Sequence, residues 1–158
     1  MFKHVLVAID GSAYSRQALP TAIEVASKFG ADLLVLHVAE HDRGRAAAYT
    51  IETPAEATRL VADAVSEAMA AGLVAHGALV DKAAGHVATA IEEATAEHGI
   101  DLIVMGSRGL SDAQGFFLGS VTHKVMQMVD VPVLVTRDAK AVIEHEPVGA
   151  VGPAHQGS

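Results

Sequence analysis

Short, nearly unbroken apolar runs alternate with longer stretches of helical periodicity, four times over, and a fifth run closes the pattern. The runs are Lys3 to Ile9, Ala31 to Val38, Leu73 to Val80, Leu102 to Met105 and Val131 to Thr136. Runs this apolar belong to strands covered on both faces. Between them, apolar residues recur every three or four positions, as on helices with one buried stripe. A β-α-β-α-β-α-β-α-β order predicts an α/β chain: an open, doubly wound parallel sheet with helices on both faces. Crossover handedness leaves few ways to wind it.

The helix boundaries carry their own signals. Asp10-Gly11-Ser12 closes the first strand, and either Ser12 or Asp10 can cap the helix expected from Ala13 to Phe29. Leu19, Ile23, Ala26 and Gly30 define its inner stripe, and Gly30 ends it. Pro20 is expected to bend it, because a proline removes one helical hydrogen bond. Ala39 to Thr53 is polar and reads as a surface loop, with room for a helical turn at Arg45 to Ala48. Thr53-Pro54-Ala55-Glu56 starts a helix with proline in the first turn. That helix runs to about Ala71 and turns Ala57, Val61, Ala64 and Ala68 inward; Gly72 stops it. His76-Gly77 interrupts the third strand, and Asp81 to Gly85 reads as a turn. The third helix spans His86 to His98, with Val87, Ile91 and Ala94 inward and Gly99 at its end. The fourth spans Ser120 to Val129, with Val121, Val125 and Met128 on one side.

One stretch stands out from this frame. Leu102-Ile-Val-Met105 runs into Gly106-Ser107-Arg108-Gly109, and nine residues later comes Gly119-Ser120-Val121-Thr122 at a helix start. Glycines let backbone turn sharply and pass close to a ligand. The N–H groups of a helix N-terminus suit a phosphate. The competing reading is a tight turn needed only for packing.

The pattern Gly106-x2-Gly109-x9-Gly119-Ser120 resembles the nucleotide-binding signature of the universal stress protein family, in its ATP-binding branch. The likeness extends from about Phe2 to Thr136. It begins with Val5-Leu-Val-Ala-Ile-Asp10-Gly-Ser and ends with Val131-Pro-Val-Leu-Val-Thr136. The resemblance implies five strands in the order 3-2-1-4-5, the architecture of adenine nucleotide alpha-hydrolase-like folds. First and fourth strands then lie side by side where the winding reverses, and ligands bind outside strand ends at such a point.

The resemblance also implies a site. Gly106 and Gly109 would approach the ribose and phosphates. Gly119, Ser120, Val121 and Thr122 would surround a triphosphate through backbone N–H groups and hydroxyls. Ala8, Ile9 and Asp10 would join them. Asp10 is either a cap or a contact to ribose hydroxyls or to Mg²⁺, which prefers oxygen ligands. Val38 would offer its backbone to the adenine edge and Met105 would lie under the ring; on residues alone, both are core positions. Arg108 is either a solvated loop charge or a phosphate or ribose contact. Lys124 could reach a phosphate but reads as a surface lysine.

The implied cofactor is ATP with Mg²⁺, and the implied assembly is a homodimer through the strand Val131 to Thr136. An edge strand this apolar is a pairing hazard when bare. No residue stands out as a general base, so any hydrolysis is expected to be slow. Three readings follow: a regulatory, stress-response nucleotide-binding dimer, a slow ATPase using Asp10 and a bound metal, and a nucleotide-independent dimeric interaction module. A cyclic nucleotide belongs with the first.

Other classes are disfavoured. A net charge of −8 argues against broad nucleic-acid binding. No apolar run approaches the roughly 20 residues that span a bilayer. Met1-Phe2-Lys3-His4 enters a strand with no signal-peptide pattern, and there is no cysteine, so the expected location is the cytoplasm. Nine histidines include no HExxH; His37 and His41 lie four apart across a strand end, and no metal site is expected. G-x-S-x-G and G-x-x-x-x-G-K-[ST] are both absent, and no G-x-G-x-x-G follows the first strand. The domain is expected to cover 1–137. Positions 138–158 read as a flexible tail, or one whose Ala141-Val-Ile143 packs on a partner subunit.

Overall fold

The computed structural model describes residues 1–41, 52–108 and 118–137. Five strands and four helices alternate: β1 (His4–Ile9), α1 (Ala13–Phe29), β2 (Asp32–His41), α2 (Pro54–Ala70), β3 (Ala75–Ala83), α3 (Val87–Glu97), β4 (Leu102–Gly106), α4 (Ser120–Met128) and β5 (Val133–Thr136). The strands form one sheet in the order β3-β2-β1-β4-β5, and each neighbouring pair is parallel. The predicted architecture and strand order are both present.

Side-chain alternation along the strands separates two cores. Val5, Val7, Leu33, Val35, Leu102 and Val104 meet α1 and α2 on one face. Leu6, Leu34, Leu36, Ile103 and Met105 meet α3 and α4 on the other. Fully burying each such aliphatic side chain contributes about 1.5–3 kcal/mol, which makes the two-sided burial of the central strands the main stabilising term. At the end of the sheet away from the β1–α1 turn, Asp101 sets the strand starts. Its carboxylate accepts from the backbone N–H groups of Lys3 (2.8 Å) and His4 (3.2 Å).

α1 buries Ala18, Leu19, Ala22 and Ala26 and runs unbroken through Pro20. The proline and Arg16 are both exposed, so the Arg16 carbonyl that the proline cannot bond lies on the solvent side. Gly30 closes the helix in the left-handed conformation, φ 64°. α2 buries the four residues its spacing predicts, Ala57, Val61, Ala64 and Ala68. It opens with a full capping box, in which Thr53 Oγ1 accepts from Glu56 N and the Glu56 carboxylate accepts from Thr53 N.

Several features differ from the sequence expectation. β3 is continuous through His76 and Gly77. Gly77 has a packing reason: a Cβ there would fall 2.5 Å from Val61 Cγ1, so its absence lets α2 lie on the strand. β2 and β3 both run on past Val38 and Val80, pairing Ala39 with Asp81, Glu40 with Lys82 and His41 with Ala83. Polar side chains steady this extension. Glu40 Oε1 accepts from Gly85 N at 2.8 Å, and Lys82 Nζ meets Glu93 Oε2 at 2.6 Å. The polar sequence beyond Val38 had pointed to a loop and a turn, but backbone pairing does not require apolar side chains. Finally, β5 begins at Val133 rather than Val131, and Met128, expected on one side of α4 with Val121 and Val125, is 37% exposed. The expected turn at Arg45 to Ala48 and the segment 138–158 lie outside the described residues.

Candidate functional site

The site is built from strand ends. β1 lies between β2 and β4, and the winding reverses between β1 and β4, where Ala8 pairs with Met105. Two chain turns leave the sheet there, one after Ile9 and one after Gly106.

After Ile9, the division of labour between Asp10 and Ser12 is clear. Ser12 is the N-cap of α1, its Oγ accepting from Ser15 N at 3.2 Å. Asp10 Oδ1 accepts from Ser12 N at 2.9 Å, which shapes the turn in front of the cap. Asp10 is therefore half-buried at the strand end, with its carboxylate held by the turn that it closes.

After Met105, the backbone is held from several sides. Gly106 ends β4 and is not among the described glycines with positive φ. Its missing side chain serves packing: a Cβ would fall 2.9 Å from the Tyr14 carbonyl carbon and 3.0 Å from the Tyr14 carbonyl oxygen. The first turn of α1 thus rests directly on the end of β4. Ser107 is buried, and sequence reasoning missed its part. Its N–H donates to the Thr136 carbonyl at 2.8 Å, and its own carbonyl accepts from Gly119 N at 2.7 Å. One residue thereby joins the ends of β4 and β5 to the start of α4. Nothing in the side chain signals this, because both bonds use backbone groups. Arg108 follows, with its guanidinium carbon 5.9 Å from the centroid of the Tyr14 ring. Gly109 lies outside the described residues.

α4 begins at Ser120 with Gly119 as its N-cap, in extended conformation and with no side-chain cap. The N–H groups of a first helical turn have no acceptor within the helix. Those of Ser120, Val121 and Thr122 therefore gather a partial positive charge beside the strand ends. Thr122 is 2% exposed, and its hydroxyl donates to the Gly106 carbonyl at 2.9 Å. It pins α4 against β4, so its hydroxyl proton is already spent. Ser120 is exposed, and Val121 packs into the α3/α4 core. Ala8, Val38 and Met105 lie on that same face, Met105 buried and the other two partly so, making an apolar floor of three neighbouring strands.

His37 is the second residue missed. The sequence offered it only as half of a metal pair. It is buried on the α1/α2 side of β2, with Nδ1 2.8 Å from the Ile9 carbonyl oxygen and Nε2 2.7 Å from Glu52 Oε2. Its partner in sequence spacing, His41, instead stands 4.0 Å from Asp81. Among the described residues, no three His, Asp or Glu side chains form a set that could hold a metal ion, and no helix is long and apolar enough to cross a membrane.

A groove of about 160 Å³ opens elsewhere, between α1 and α2. Arg16, Asp63 and Glu67 line it together with Leu19 and Leu60, so one cation and two carboxylates offer no concentration of donors for an anion.

Comparison with known proteins agrees with this architecture. A profile described as the universal stress protein family matches residues 1–137. The universal stress protein YxiE of Bacillus subtilis is 35% identical over 156 residues, covering 87% of this chain and 100% of that one. A universal stress protein of Thermus aquaticus is 37% identical over 139 residues, with 87% and 100% covered. Among solved structures, a universal stress protein in complex with cAMP superposes with a TM-score of 0.66 at 27% identity, covering 87% of this chain and 98% of that one. The chain belongs to the universal stress protein family.

Proposed function

We propose that this universal stress protein binds an adenine nucleotide, ATP with Mg²⁺, in the crevice between β1 and β4, and acts as a regulatory, stress-response switch rather than as a fast enzyme. The observation that carries the reading is the N-terminus of α4, without a side-chain cap among the described residues and tied by Ser107 and Thr122 to the β4 end. That arrangement presents backbone donors to a polyphosphate without side-chain cost.

The other parts fit around it. Ala8, Val38 and Met105 would receive the adenine ring, with Val38 giving its backbone to the ring edge. Ile9 and Asp10 would flank the ribose, and Asp10 would serve a hydroxyl or Mg²⁺. Gly106, Arg108 and Gly109 would follow the ribose and phosphates. Gly119, Ser120, Val121 and Thr122 would grip the phosphates, mainly through amides, since the Thr122 hydroxyl donates to Gly106. The relative crystallised with cAMP supports an adenine ligand. With a net charge of −8, the local donors must act against the overall field.

The residues matched to the family, 1–137, would form the working domain, in the cytoplasm. A homodimer would form through Val131 to Thr136: β5 is an edge strand, and Leu134 is 38% exposed on it. Gel filtration of the full chain and of a chain ending at Thr136 tests this; a monomer appearing only on truncation transfers the interface to the tail.

Calorimetric titration with ATP and Mg²⁺, and separately with cAMP, tests the ligand. Saturable heat with ATP is expected. No heat and no thermal shift at millimolar nucleotide would overturn the proposal.

A further inference from the structure

His37 is 3% exposed, and none of the nucleotide contacts above uses it. It is the last residue of β2 paired with β1, opposite Ile9. Its two ring nitrogens reach in different directions. Nδ1 lies 2.8 Å from the Ile9 carbonyl oxygen, which can only accept, so Nδ1 carries the proton and donates it. Nε2 lies 2.7 Å from Glu52 Oε2. Glu52 stands immediately before Thr53, the N-cap of α2, and its side chain is 34% exposed. The ring therefore links the end of β1 to the entrance of α2, behind the floor formed by Ala8, Val38 and Met105.

The contact on Ile9 reaches the crevice through covalent geometry. The Ile9 carbonyl and the Asp10 amide are one planar peptide group. Holding the oxygen sets the plane, and the plane sets where the Asp10 Cα and side chain leave the strand. Asp10 then closes its turn onto Ser12 N at 2.9 Å, and Ser12 caps α1. We infer that His37, locked in place by Glu52, is a positioning residue of the nucleotide crevice, orienting the Ile9–Asp10 peptide so that the Asp10 carboxylate faces the ligand side. The inference rests on the nucleotide reading above.

A histidine that merely fills the core would behave differently from one that orients this peptide. His37→Asn keeps a donor close to where Nδ1 stands but loses Glu52. His37→Leu keeps the bulk and loses the donor. Glu52→Gln can donate its amide to Nε2 while Nδ1 still donates to Ile9, so the lock survives without charge. Glu52→Ala removes the lock.

The test uses the full chain, with two readouts for each variant: calorimetric titration with ATP and Mg²⁺, and ¹H–¹⁵N shifts of Asp10, Gly11 and Ser12 amides without ligand. His37→Asn and Glu52→Gln should bind within about twofold of wild type, whereas His37→Leu should bind about tenfold more weakly, the worth of one buried hydrogen bond. The Asp10 amide should move most in His37→Leu, less in His37→Asn and Glu52→Ala, which keep a donor to Ile9 but lose the lock, and stay in place in Glu52→Gln. Equal losses in His37→Asn and His37→Leu would overturn the inference, as would an unmoved Asp10 amide in His37→Leu. If His37→Leu does not fold, Glu52→Ala against Glu52→Gln decides, since Glu52 is partly exposed and its removal leaves the core filled. A wild-type protein that binds no ATP ends the nucleotide reading, and the ligand-free amide shifts then decide the positioning of Asp10 by themselves.

Discussion

Thr122 and Gly106 are joined by a hydrogen bond of 2.9 Å, the threonine hydroxyl donating to the glycine carbonyl across the mouth of the crevice. The bond places the first turn of α4 against the end of β4. Thr122→Val keeps the shape and deletes the donor, leaving a buried carbonyl without that partner. The expected cost is about 1–2 kcal/mol in urea unfolding. Nucleotide affinity should fall with it, while Thr122→Ser should keep most of both.

Gly106→Ala should destabilise the protein by about 1–3 kcal/mol through overpacking. The added methyl meets Tyr14 backbone at 2.9–3.0 Å, and backbone cannot rotate away. A lowered melting temperature without ligand is the expected result. An unchanged melting temperature with lost nucleotide binding would show instead that the ligand, not α1, needs this glycine.

Asp10→Asn separates the two roles of that side chain. Asparagine can still accept from Ser12 N, so the turn should hold and the melting temperature should change little. The lost negative charge should weaken the Mg²⁺-dependent part of ATP binding, read as the difference between titrations with and without Mg²⁺. Phosphate release should stay at background in both proteins. Release by wild type alone would establish the slow ATPase.

Glu56 links stability to acid pH. The Thr53 backbone N–H, and after it the Thr53 hydroxyl, hold this carboxyl below its ordinary value of 4.5. A carboxyl lowered in the folded state stabilises it fully above the unfolded value and loses that contribution as pH falls through the folded one. Wild type should therefore exceed Glu56→Gln in stability at pH 7, with the difference shrinking as pH falls below 4.5 and gone once the carboxyl is protonated in the folded state. Urea unfolding from pH 3 to 7 checks the sign. Thr53→Ala removes the cap itself and should cost about 1 kcal/mol at pH 7.

Much of the fold was legible because its signals are local. The apolar runs of β1, β2 and β4, the stripe Ala57, Val61, Ala64 and Ala68, and the punctuation by Gly30 and Gly99 each act through a few neighbouring residues. Legibility failed where backbone rather than side chains made the structure. The extension of β2 and β3 past Val38 and Val80 is a ladder between two polar segments, and its register depends on the partner strand. Gly77 looked like a break because its neighbour Val61 is 16 positions away in the chain.

The same division runs through the candidate site. Sequence alone determined which residue types were available: the glycines at 106, 109 and 119, the helix start at Ser120, the carboxylate at Asp10 and the family they mark. Only the tertiary structure decided what several of them do. It gave Gly106 to the packing of Tyr14, spent the Thr122 hydroxyl on Gly106, and made Ser107 the junction of β4, β5 and α4. It also joined His37 to Ile9 and Glu52, residues 28 and 15 positions away. The reason is physical: a spacing pattern records contacts within one turn or one strand, whereas a donor and acceptor brought together by a parallel crossover have no fixed separation along the chain.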